Sequence, residues 1–349
     1  AIGSVVSWLR DYRFDGLRFD AVNTIVEAGE ISILHDFSKA AGQLAAETGR
    51  QINLVLENGD NIASLLDDAE DPPDGKFRGQ WNDDYHHAWH VLLTGEKQGY
   101  YGDYRAPKLD LARALSSGYI YQGEVSEFWG GKARGEPSGA LSPTCFINFL
   151  QNHDQIGNRP LGDRLESIAK PEAIEAALAV TLIAPNTPML FMGEEWGATT
   201  PFPFFCDFNG DLANAVRAGR RREFAWAYAK YGDEIPDPLI DETMQSAVLD
   251  WAALDHDPAR ARLALVRDLL AVRRREITPR LPGASFGGDR VTSDLLTAHW
   301  RLGDGRTLWL TANLSDRDIP GAPEPKGTAI WGRALSGNLP GWAARWHIG

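Results

Sequence analysis

"FDGLRFDAVNTI" occupies residues 14–25, and its reading decides the fold. Its centre, "GLRFDAV" (16–22), is an apolar run carrying two charges two residues apart. In an extended chain such residues face one way, so Arg18 and Asp20 share a side while Leu17 and Phe19 take the other. A guanidinium beside a carboxylate favours the ionised form. Asp20 is therefore expected as an anion at the end of a buried strand, suited to a nucleophile or a charge stabiliser. Taken alone, the pair reads equally as a structural plug.

Working outward, strand and helix signals alternate. "SVVSWLRDYRF" (4–14) sets Val5, Val6, Leu9 and Tyr12 on one helical stripe. "DFSKAAGQLAAETGR" (36–50) is an amphipathic helix that Gly49 is placed to end. "QINLVLEN" (51–58) is a near-continuous apolar strand of the parallel-sheet kind. "GKFRGQWND" (75–83), "TCFINFLQNHD" (144–154) and "TPMLFMGEE" (187–195) read as further strands, with helices over 83–93 and 170–184. Repeated β–α units imply a parallel sheet with crossover helices. No strand is followed by a glycine-rich phosphate fingerprint, which favours a closed (β/α)8 barrel over an open nucleotide-binding sheet.

Beyond a helical stretch at 257–276 the pattern changes. "SDLLTAHWRL" (293–302), "GRTLWLTANLS" (305–315), "GTAIWGRALS" (327–336) and "WAARWHIG" (342–349) are short alternating runs punctuated by Gly, Pro and Asp. They predict a small antiparallel β-sandwich domain. The expected division is a catalytic barrel over residues 1–282 and an all-β domain over 283–349. Stretches 59–75 and 126–143 are polar and bear Gly and Pro, as functional barrel loops do.

Composition narrows the partners. Net charge is −13, with acids and bases intermixed, which argues against nucleic acid or an anionic membrane surface. Two cysteines, Cys145 and Cys206, form no disulfide framework or metal-ligand spacing, so a cytoplasmic setting is expected. No segment has the ~20 consecutive apolar residues of a membrane span. The adjacent His86 and His87 lack the i, i+4 spacing of a zinc helix, and no calcium-loop motif occurs. Neither a metal nor a cofactor is expected. Twelve tryptophans suit core packing and, equally, sugar faces.

The strand ends carry acids. Glu57 follows "INLVL", and a carboxyl rising from an apolar strand into a partly desolvated pocket gains the proton affinity a general acid needs. "QNHDQIGNR" (151–159) supplies His153 and Asp154. In a parallel barrel such ends converge, so Asp20, Glu57 and Asp154 are expected in one pocket. Two carboxyls of unlike proton affinity flanking a bond are the minimal machinery of glycoside hydrolysis. A third acid can stabilise the oxocarbenium-like state.

In order, "GLRFDAV", "LVLEN" and "FLQNHD" resemble the nucleophile, acid/base and third-acid strands of the α-amylase superfamily of retaining glycoside hydrolases. The resemblance implies Asp20 as nucleophile, Glu57 as general acid/base and Asp154 as transition-state stabiliser. It implies that Arg18 orients the nucleophile and that His153 bonds a sugar hydroxyl. Longer stretches, at 80–104, 149–165 and 190–224, resemble the maltooligosyltrehalose trehalohydrolases within that superfamily. These cut the α-1,4 bond beside a terminal trehalose, so maltooligosyltrehalose or a related α-glucan is the expected partner. By the same likeness Trp81, Asn82, Asp83, Asp84 and His86 are substrate contacts. Glu194, Glu195 and Trp196 are expected at the end of strand eight, at least one of them structural.

In that superfamily the nucleophile strand is the fourth, so the resemblance implies that this chain holds strands four to eight. A barrel without strands one to three exposes two sheet edges and an open core. The 349 residues by themselves are accordingly expected to be unstable and inactive. The rival readings are a glycogen branching enzyme or plain α-amylase on the same scaffold, and a non-catalytic barrel used for sugar binding or association.

Overall fold

The structure, a computed structural model, describes residues 1–26, 32–69, 72–332 and 337–349. Two short parts of the predicted stretches, 70–71 and 333–336, thus fall outside the described residues. The chain forms two compact units. One comprises Ala1–Phe149, Ala176–Met189 and Leu270–Gly349, the other Leu150–Glu175 and Leu190–Leu269.

The first unit is built on five parallel strands laid side by side in chain order. They are β1 (Gly16–Phe19), β2 (Asn53–Leu56), β3 (Gly79–Trp81), β4 (Phe146–Asn148) and β5 (Thr187–Pro188). All five fall within predicted strands but are shorter, because only part of each run enters the ladder. Helix α1 (Ile2–Arg10) buries Val5 and Leu9 but ends before Tyr12, which is 67 % exposed rather than on the buried stripe. Helix α2 (Ile33–Thr48) stops at Gly49, whose φ of +63° closes the last turn in the left-handed region glycine tolerates. Phe19 stacks on Phe37 of α2 with ring centroids 5.1 Å apart, tying β1 to its crossover helix. Leu54, Leu56, Phe77 and Phe146 extend that core across the sheet.

Helix α3 (Asp83–Thr94) follows β3, and α4 (Pro107–Ser117) starts on a proline, where the missing N–H costs nothing. The 126–143 stretch is not wholly a loop, since Glu124–Ser126 pairs with Lys132–Arg134 as a hairpin.

The β-rich C-terminal region also belongs to the first unit. Strands β6 (Ser285–Thr292), β7 (Leu295–Arg301), β8 (Thr307–Asn313), β9 (Thr328–Trp331) and β10 (Ala343–Ile348) form one antiparallel sheet, ordered β9–β10–β8–β7–β6. Ile319–Pro320 pairs separately with Asn338–Leu339. Strand formation begins where the sequence changes character, but the compact units do not part at residue 283. Phe286 packs on Phe146 at 5.6 Å, Lys108 pairs with Asp294, and the Trp346 indole N–H donates to the Ala179 carbonyl at 3.1 Å. Trp300 and Trp346, both fully buried, stack behind these contacts.

The second unit is mainly helical, with Gly210–Glu223, Ala225–Tyr231 and Asp241–Ser246 unforeseen in the sequence. Trp196, Ala198 and Ala259 form a small core there, with Leu249, Leu254 and Leu263 packed on it. No helix among the described residues is long and apolar enough to cross a membrane.

Candidate active site

Pairing register places the first two acids. Phe19 of β1 lies opposite Leu56 of β2, so the next residue on each strand, Asp20 and Glu57, emerges at the same sheet edge. The ladder continues one step past both strands. The Glu57 amide donates to the Phe19 carbonyl at 2.9 Å, and Val22 N–H donates to the Glu57 carbonyl at 3.1 Å. Between them Ala21 adopts φ +44°, ψ +44°, a left-handed conformation uncommon outside glycine. That turn aims the Ala21 N–H at Glu57 Oε2, 2.8 Å away.

Arg18 joins the two acids. Its Nη1 donates to Asp20 Oδ1 and, at 3.2 Å, to Glu57 Oε2. Two oxygens bonded to one nitrogen lie less than about 6 Å apart, so the two carboxylates stand side by side on one guanidinium. The guanidinium carbon sits 4.0 Å from the centroid of Trp81, the last residue of β3. A cation over an indole face is held by the ring quadrupole and keeps its fork in one plane. Asp20 is 81 % exposed, whereas Glu57 and Arg18 are 17 % and 21 % exposed. Glu57 is mostly withdrawn from solvent, and its Oε2 accepts from the Ala21 amide and from Arg18.

The remaining predicted contacts separate by depth. Asn82 is wholly buried at the start of α3, donating to Asn148 Oδ1 at 2.9 Å and the Gly118 carbonyl at 3.1 Å. Asp83 is half-buried. Asp84 is fully enclosed, and five protein donors take its two oxygens. They are Asn61 Nδ2, the Tyr104 hydroxyl, the amides of Ile120 and Tyr121, and Arg134 Nη1, at 2.5 to 2.9 Å. The structure thus gives Asp84 to the protein's interior rather than to an open face. His86 is 1 % exposed, bonded to the Tyr101 hydroxyl at 3.0 Å and stacked near Phe149. Beside it, burial together with His86 and Arg134 holds His87 well below the ordinary histidine range.

Arg134 was not singled out from the sequence. It pairs with Asp84 and donates from Nε to the Gly59 carbonyl at 2.6 Å, two residues past Glu57. The available signal was "KAR" (132–134) alternating between glycines at 130–131 and 135, a hairpin pattern.

His153 and Asp154 belong to the second unit, where they open a five-residue helix rather than end a strand. Asn152 caps it, its side-chain oxygen accepting from the Asp154 amide at 2.9 Å. His153 is exposed and Asp154 half-buried. Glu194, Glu195 and Trp196 form a single 3-10 turn, well past the end of β5. Burial, reinforced by Glu166, holds Glu194 well above the usual carboxylate range.

Comparison with known proteins gives the chain's relatives. A family model described as a domain of unknown function, DUF3459, matches residues 284–346. Malto-oligosyltrehalose trehalohydrolase of Deinococcus radiodurans is 38 % identical over 326 residues, 92 % of this chain and 49 % of that protein. The Rhizobium sp. enzyme of the same name is 38 % identical over 338 residues, 94 % of this chain and 54 % of its own. A Salmonella typhimurium protein solved as a proposed α-amylase superposes with a TM-score of 0.89 at 38 % identity, covering 99 % of this chain and 59 % of its own. Pullulanase from Paenibacillus barengoltzii, at TM-score 0.58 and 17 % identity over 99 % of this chain and 50 % of its own, shares the fold. The parallel sheet is thus part of a (β/α)8 barrel, followed by a C-terminal antiparallel domain. The chain spans about half the length of the curated relatives it matches. Over most of its length it is similar to malto-oligosyltrehalose trehalohydrolases.

Proposed function

We propose that the protein carrying this chain is a retaining glycoside hydrolase that cuts the α-1,4 bond beside the terminal trehalose of maltooligosyltrehalose. The observation that carries the reading is the single Arg18 nitrogen bonded to the carboxylates of both Asp20 and Glu57. Asp20, the more exposed of the two, attacks the anomeric carbon. Glu57 gives a proton to the departing trehalose oxygen, then takes one from the water that releases the glycosyl-enzyme, so configuration is retained. Arg18 keeps Asp20 ionised and aimed, and Trp81 keeps Arg18 in plane. Trp81 and Asp83 form the trehalose side of the cut, with the buried Asn82, Asp84 and His86 supporting that wall from beneath. The likeness of "FLQNHD" assigns the stabilising carboxylate to Asp154 and a sugar hydroxyl contact to His153. Cytoplasmic action fits the two free thiols.

Product analysis of the whole enzyme on a trehalose-capped maltooligosaccharide tests this. Free trehalose, with the α-configuration kept at the new reducing end, is the expected result. Transfer of branches, or internal cleavage without trehalose, overturns the assignment.

A further inference from the structure

Arg220 lies in the helix Gly210–Glu223 of the second unit and carries no step of the reaction proposed above. Its side chain is 16 % exposed. The guanidinium carbon lies 4.6 Å from the ring centroid of Phe204 and 4.4 Å from that of Phe224. From this seat Nη2 donates to the Gly157 carbonyl at 3.1 Å and Nη1 to Asn158 Oδ1 at 3.0 Å. The Glu223 carboxylate, 3.6 Å from Nη1, is too far for a hydrogen bond.

Gly157 ends the five-residue helix that opens with His153 and Asp154. The last carbonyls of a helix have no partner within it, and Gly157 is buried, so its oxygen needs a donor from elsewhere. An arginine side chain is a common source of one. Asn158 continues the connection, because its backbone amide donates to the Asp154 carbonyl at 2.8 Å. At the other end Asn152 Oδ1 accepts from the amides of Asp154 and Gln155 at 2.9 and 3.3 Å. The turn that bears Asp154 is held at both ends, by its neighbour Asn152 and by an arginine 63 residues beyond Gly157.

An α-helix rises ~1.5 Å per residue, so Gly157 stands only about 5 Å along the axis from Asp154. A shift at one end of so short a turn reaches the other. The holder is itself anchored. On the same helix face, three residues earlier, Arg217 Nε donates to both carboxylate oxygens of Asp237, at 2.8 and 3.1 Å. We infer that Arg220 is a positioning residue, holding the Asp154 carboxylate through the turn His153–Asn158 where it can stabilise developing positive charge. This role for Arg220 rests on Asp154 being the stabilising acid.

Steady-state kinetics of the whole enzyme on a trehalose-capped maltooligosaccharide test the role, in a double-variant cycle with Asp154→Asn. Arg220→Met is expected to lower kcat about tenfold to hundredfold, as a ~1 Å displacement of an aligned group does, with KM changed less than about threefold. In the Asp154→Asn background the same substitution should change kcat less than about twofold, because the group it positions is already lost. Circular dichroism checks folding. Should Arg220→Met fail to fold, the exposed Asn158→Ala decides, since it removes one of the two bonds and should cost about threefold in kcat in the parent alone. Unchanged kcat, a loss carried by KM, or an equal loss with and without the Asp154 carboxylate overturns the role and leaves the assignment of Asp154 standing. Full activity in Asp154→Asn removes that assignment, and the role of Arg220 with it.

Discussion

Arg134 meets Asp84 at 2.9 Å with their side chains only 6 % and 0 % exposed. Four further donors complete the shell of Asp84, so the carboxylate is compensated only while that set is whole. Asp84→Asn turns one acceptor into a donor facing donors and strips Arg134 of its counter-charge. We expect it to destabilise the protein by about 3–5 kcal/mol, read from the shift of a denaturant midpoint. Asp84→Asn combined with Arg134→Met should cost less than the two single losses added, as partners in one network do.

Arg18 bridges two acids, so its substitution should act on turnover more than on affinity. Arg18→Leu leaves Asp20 and Glu57 without a common donor, and kcat for trehalose release should fall about a hundredfold with a smaller change in KM. Arg18→Lys should recover little, because a point ammonium cannot lie flat on Trp81 while reaching two carboxylates. Full activity in Arg18→Leu would remove the arginine from the mechanism.

Glu57 is assigned the proton transfers, which makes its loss depend on the leaving group. Glu57→Gln should lower kcat on the trehalose-capped substrate about 10²- to 10⁴-fold. On a glycoside whose leaving group needs no protonation, such as a nitrophenolate, bond cleavage should be much less impaired. Equal losses on both substrates would count against the acid role.

Burial pushes the Asp110 carboxyl up to about 6, against the opposing effect of the Ala106 backbone amide that donates to it. A carboxyl raised in the folded state binds its proton more tightly there than in the unfolded chain. The stability it contributes is present below pH ~4 and is lost as pH rises through 6. Asp110→Asn should therefore gain on the parent protein between pH 4 and 7, by about 1 kcal/mol once partial solvent exposure is allowed for. Paired thermal melts at pH 4 and pH 7 measure the gap, and a gap that does not widen refutes the expectation.

Gly118 ends α4 with φ +90°, and a Cβ there would lie 2.2 Å from the Phe146 ring. Phe146 is fully buried between Tyr119 and Phe286 and has nowhere to move. Gly118→Ala should destabilise by about 3 kcal/mol or more, with backbone strain and overpacking adding. A denaturation midpoint close to the parent's would show that the ring can yield.

The parallel strands were legible because most lie within largely apolar runs, and the residues after "GLRF" and "NLVL" stood out as charges against grease. The Arg18–Asp20 pair followed from period two alone. Its link to Glu57 did not, since it depends on the register of β1 with β2 and on the left-handed Ala21, neither of which a local pattern encodes. The enclosure of Asp84 was hidden for a related reason, since it depends on tertiary packing of Arg134, Tyr104 and the 120–121 amides around it. The second unit was read poorly because Gly210–Glu223 is polar and arginine-rich, and its helix owes little to an apolar stripe. The division into units was hidden as well. Phe286 and Trp346 look like ordinary strand residues until their partners, Phe146 and Ala179, are known.

The hydrogen bond from Trp346 to Ala179 joins residues 167 positions apart. A ribosome adding ~5–20 residues per second needs roughly 8–30 s to make that span. For all that time the helix bearing Ala179 exists without the strand that covers it, and its apolar face is open to chaperones and to neighbouring nascent chains. The vulnerable period in the life of this molecule is therefore set by translation speed. Slow codons between residues 179 and 346 should lower the yield of soluble protein without altering one atom of the finished fold.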